Sequence, residues 1–157
     1  MSKRKAYRPK PVHGNPLTYM FSGLMRIDPH ELVELRLKNL KAIVDVTTGQ
    51  ANCETWNKIT GCVNISLILT EYGIGQDYHD DLVAGREALI SMGRRYLEHD
   101  RFGFTGEELR TINLMMEIHD AQLEIARVID IERAVMEIDR RLRLGINTFH
   151  IVEREVA

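Results

Sequence analysis

GEELRTINLMMEIHDAQLEIARVIDIERAVMEIDRRLRLG, residues 106–145, runs for forty residues without proline and with glycine only at its two ends. It predicts one long helix, roughly 60 Å at about 1.5 Å per residue. Thr105 and Glu108 in front of it form a capping box, in which each side chain satisfies the other's backbone amide. The apolar face of this segment changes sides halfway along. With Leu109 at zero and about 100° per residue, Leu109, Ile112, Met116, His119 and Leu123 fall on one face, and Leu114, Ile118, Ala121 and Ile125 on the next. Only a wedge carrying Arg110, Asn113, Glu117, Asp120 and Glu124 is polar, so this half is expected in the middle of a bundle. Past Arg127 the apolar residues Ile131, Val135, Ile138 and Leu142 follow 4-3-4 spacing and point into the former polar wedge. A narrow apolar seam flanked by both charge signs is a coiled-coil style of surface. Either the preceding helices cover it, or Ile131, Val135, Ile138 and Leu142 form a homodimer seam.

Working outward, the same signals recur. Asn15-Pro16 opens a short helix through about Gly23, with Leu17, Met20, Phe21 and Leu24 on one face. Asp28-Pro29 opens a second, whose apolar face carries Val33, Leu37, Leu40 and Val44 at 4-3-4 spacing and is widened by Leu32, Leu35 and Ile43. A third runs from about Asn52 to Tyr72, with Gly61 placed for a close helix crossing. Gly73 and Gly75 stop it, and a fourth covers Gln76 to about His99. The fold class is therefore all-α: an antiparallel helical bundle of four to five helices with one long C-terminal helix. Residues 1–14 read as a flexible basic arm, 15–145 as the bundle domain and 146–157 as an extended C-terminal tail.

The net charge of −2 hides an asymmetry. Lys3, Arg4, Lys5, Arg8 and Lys10 put five positive charges into the first ten residues, while the other 147 carry 16 basic and 23 acidic groups, a net of −7. Nucleic-acid attraction therefore belongs to the arm, where the five cations surround Tyr7, a composition able to grip phosphates and stack on a base. An acidic protein surface is the other partner such an arm fits. Arg140, Arg141 and Arg143, the densest basic cluster elsewhere, suit a helix C-terminus and one-turn pairing with Glu137 and Asp139.

No motif for chemistry stands out. No Glu lies three residues before any of the six histidines, as a di-iron bundle needs, and His-Glu-x-x-His is absent. His119 lies on an apolar stripe and reads as a buried, hydrogen-bonded core residue. Cys53 and Cys62, nine residues apart, fall on opposite helix faces and are expected to stay thiols. Gly73-Ile74-Gly75 follows a helix instead of a strand, so a dinucleotide site fails. The expectation is a non-enzyme with no metal or cofactor. No apolar run is long enough for a membrane span, so a cytoplasmic protein is expected.

Lys3-Arg4-Lys5-Ala6-Tyr7-Arg8-Pro9-Lys10-Pro11 resembles the start of small, uncharacterised accessory proteins of bacteriophages and prophages. His119-Asp120-Ala121-Gln122-Leu123 is similar to the same group. The resemblance covers about a fifth of the chain. It implies a phage accessory role in the host cytoplasm and identifies no active residue. Two functions follow as expectations: binding of nucleic acid or a nucleoprotein through the arm, or inhibition of a host defence protein complex through the acidic surface.

Overall fold

The computed structural model describes residues 23–146. Five α-helices follow in order: α1 (Pro29–Thr47), α2 (Cys53–Glu71), α3 (His79–His99), α4 (Gly106–Ile125) and α5 (Val128–Leu144). A single 3-10 turn, Gln76–Tyr78, precedes α3. The architecture is an all-α helical bundle. The arm, the expected helix from Asn15 up to Gly23, and the tail beyond Ile146 lie outside the described residues.

Helix starts are written locally. The Asp28 carboxylate accepts from the His30 amide at 2.8 Å, with Pro29 at the first helical position. Asn52 and Thr55 form a reciprocal box at α2, and Thr105 and Glu108 form the expected one at α4. Gly75 adopts φ +75° in the turn before α3, where a Cβ would lie 3.1 Å from the Gln122 amide nitrogen. Both the backbone conformation and the close approach call for glycine there.

The single long C-terminal helix is corrected. Ala126 (φ −68°, ψ 146°) and Arg127 (φ −82°, ψ 154°) are extended, and they divide it into α4 and α5. A break exposes amides that an unbroken helix would satisfy. Here the Arg127 amide donates to Asp130 Oδ2 at 3.1 Å, and the Val128 amide donates to the Met25 carbonyl at 2.8 Å. Arg26 and Arg127 pair as an isolated antiparallel bridge. The segment entering α1 thus caps the break from about a hundred residues away in sequence.

The centre of the bundle is also corrected, from α4 to α2. α2 touches all four other helices. It carries no charge from Ile59 to Thr70, so it can be enclosed on most sides at little desolvation cost. Trp56, Ile59, Val63 and Leu69 are almost wholly buried on it, and the Trp56 indole N–H donates to the Leu89 carbonyl at 3.1 Å. A larger core cluster joins α1 to α4 around Trp56, Leu82, Leu89, Met92, Ile112 and Met115. A smaller one seats α5 on α2 through Ile68, Leu69, Ala126 and Ala134.

Gly61 does not mark a close crossing, since a Cβ there would meet nothing within 4 Å. Gly61→Ala is therefore expected to stabilise the protein by about 0.5–1 kcal/mol, the helix-propensity difference. Thermal unfolding should report a rise of about 1–4 °C.

Candidate interaction surfaces

α1 is amphipathic, and of the apolar face read from its sequence Ile43 is turned fully inward while the 4-3-4 stripe is not. Its inward face is Ala42, Ile43 and Val46, all buried. Val33, Leu37, Leu40 and Val44 are 54%, 61%, 59% and 46% exposed. The reason is where α1 is held. The Arg36 guanidinium pairs with Glu124 and lies 3.6 Å from Asp120, both on α4. Ile43 sits almost below Arg36 on the helix surface and Ala42 on the far side of that face, so the bundle side is set by these residues. The 4-3-4 stripe is roughly a third of a turn away and is left facing outward.

On α5 the four residues of the expected seam do not share one environment. Ile131 and Ile138 are half-buried against the chain's own cluster of Ile68, Leu69, Ala126 and Ala134. Leu142 is half-buried, and Val135 is 50% exposed. Three of the four arginines of α5 are matched by acids. Arg140 binds Glu137 through two hydrogen bonds of 2.8 Å. Arg141 reaches Glu71 on α2 at 2.9 and 2.7 Å, and Glu137 at 2.7 Å. Arg143 pairs with Asp139 at 2.5 Å. Bonding to Arg140 and then Arg141 pulls the Glu137 carboxyl down to about 2. Beside these pairs lies an open groove of about 900 Å³ bordered by Tyr72, Arg133, Met136, Arg140, Arg143 and Leu144.

The groups that could carry chemistry are enclosed. His119 is 3% exposed, and its Nδ1 lies 2.8 Å from the Ser66 hydroxyl, itself fully buried. Burial pushes the His119 pKa down to about 4, so the ring is neutral. Gln122 Nε2 donates to the carbonyls of Ser66 and Ile74, at 3.1 and 2.9 Å, fastening α4 to α2 and to the following turn. Cys53 and Cys62 are free and buried. Burial raises the Cys62 thiol to about 12, which keeps it protonated and unreactive. Among the described residues no three His, Cys, Asp or Glu side chains are placed to hold a metal ion. No described helix is long and apolar enough to cross a membrane.

Lys3, Arg4, Lys5, Tyr7, Arg8 and Lys10 lie outside the described residues. The residues that sequence reasoning missed are the outward positions of α1. Local sequence offered no signal for them, because α1 spreads charges around most of its circumference. Comparison with known proteins finds no family model, no curated relative and no solved structure that matches this chain.

Proposed function

We propose that this is a non-enzymatic accessory protein of bacteriophage type, acting in the host cytoplasm, whose helical bundle carries a basic arm that binds nucleic acid or a nucleoprotein complex. Charge segregation carries this reading. Five cations crowd the first ten residues, and the remaining chain has a net charge of −7. The densest basic cluster of the bundle is already matched by Glu71, Glu137 and Asp139, which leaves phosphate attraction to Lys3, Arg4, Lys5, Arg8 and Lys10. The enclosure of His119, Ser66 and both cysteines supports a binding role over catalysis, because a substrate has no route to them. The alternative is inhibition of a host protein complex through the acidic body.

Neutralising the five arm cations to Gln tests the proposal. Wild-type affinity for duplex DNA should fall with salt at a logarithmic slope of about −4.5 if all five engage phosphates, and the variant should lose both the affinity and the slope. Retained binding in the variant overturns the arm reading. Capture of a host protein that survives nuclease treatment and does not need the arm favours the alternative.

A further inference from the structure

We propose that the outward face of α1 is a self-association surface, on which α1 of a second copy of this chain docks antiparallel. Val33, Leu37, Leu40 and Val44 repeat at 4-3-4 spacing, the a/d pattern of a two-helix seam, and all four stand 46–61% exposed. Among the described residues nothing in the core uses them: the inward side of α1 is closed by Ala42, Ile43 and Val46, with Arg36 paired to α4 at its edge.

Charge decides both the occupant and its direction. On the solvent side of the stripe, one position past Val33 and one past Leu40, stand Glu34 and Lys41, with side chains 55% and 73% exposed. Within α1 Glu34 lies 3.6 Å from His30 and Lys41 pairs with Asp45 at 2.8 Å, exposed one-turn pairs that a second copy's charges can share or replace. A copy turned end for end about a point between Leu37 and Leu40 sets Val33 against Val44 and Leu37 against Leu40. The same rotation sets Glu34 against Lys41 of the second copy, and by symmetry it does so twice. A two-fold contact of this kind is self-complementary. In parallel pairing Lys41 would instead lie beside Arg36 of the other copy, like against like, and Glu34 would have only Pro29. The antiparallel copy is thus the arrangement that buries the stripe and matches its flanking charges. The seam is two heptads long, which points to a weak dimer, on the order of micromolar, at the low end of interface size. The proposal requires nothing of the basic arm.

Sedimentation velocity on the full chain across a concentration series tests it. Wild type should shift from monomer to dimer as concentration rises. Leu37→Glu with Leu40→Glu should remain monomeric throughout, with unchanged helical circular dichroism, because both positions are exposed. Glu34→Lys and Lys41→Glu should each weaken the dimer about tenfold, and the two together should restore it, since the swap regenerates opposite charges across the axis. A wild type that stays monomeric at every concentration overturns the proposal. So does a dimer indifferent to the Leu37 and Leu40 changes, or one that the double charge swap fails to restore.

Discussion

Acidification from above pH 6.5 to about 4 is expected to remove on the order of 3 kcal/mol of folding stability through one side chain, His119. Burial in the folded bundle drops its pKa from the ordinary 6.5 to about 4, so in this window the unfolded chain binds a proton that the folded chain refuses. The sign follows from that imbalance. Stability is complete above 6.5 and falls as pH descends toward the folded-state value, below which both states are protonated and the slope vanishes. Carboxylates held low by arginine, Glu108 beside Arg95 and Asp130 beside Arg127, lose their contribution as pH falls from the ordinary carboxylate range downward, a window that meets the lower end of the His119 one. Urea midpoints measured through both windows separate them. His119→Gln keeps a hydrogen-bonding group for Ser66 and removes the titration, so its midpoint should be much flatter between 6.5 and 4. An equally steep variant would mean that the acid sensitivity comes from elsewhere.

Gly85→Val is expected to cost about 3 kcal/mol, the upper part of the range for overpacking a core. Gly85 is buried in α3, and a Cβ there would lie 2.8 and 2.9 Å from Cγ and Cβ of Met115 on α4. Met115 is fully buried. Its outer atoms can rotate, but its Cβ is fixed to the backbone, so the helices must move apart. Gly85→Ala should also destabilise, though less, because helix propensity returns about 1 kcal/mol. The same Gly→Ala change therefore has opposite signs at positions 61 and 85. Denaturant unfolding of the two alanine variants checks this directly; stabilisation of both would mean that α3 and α4 tolerate separation at this crossing.

Those two glycines show how far the sequence could be read. Both lie inside helices, and no signal at either position says which one meets a neighbouring helix. The sequence points to position 61 as the close crossing, whereas the structure puts it at 85. Which glycine faces a neighbour depends on the rotation of its helix, and that is set by contacts distant in sequence. α1 failed for the same reason. Its periodicity locates a stripe, yet does not say which part of the apolar face meets the core. Burial of Ala42, Ile43 and Val46 against the other helices, with Arg36 paired to α4 at the edge, holds the other side inward. By contrast His119 was legible, because a lone histidine among Ile112, Met116 and Leu123 on one helical stripe has an apolar setting written into its spacing. The arm residues carry their proposed role in composition alone.

The sequence by itself determined that the described chain is helical, where nearly every helix begins, and that residues 106–145 change their apolar face near Arg127. Those properties are local: capping side chains, proline and glycine placement, and apolar spacing act within a few residues. Only the tertiary structure decided what the change of face means. A straight helix would aim Ile131 and Ile138 away from the core that Ile112 and Met115 join. Two extended residues, Ala126 and Arg127, re-aim the second half onto α2, and the carbonyl of Met25 satisfies an amide that the break frees. That donor–acceptor pair spans more than a hundred residues, so no local window contains it. The long helix is two helices because burying both faces outweighs the hydrogen bonds that continuity would have kept.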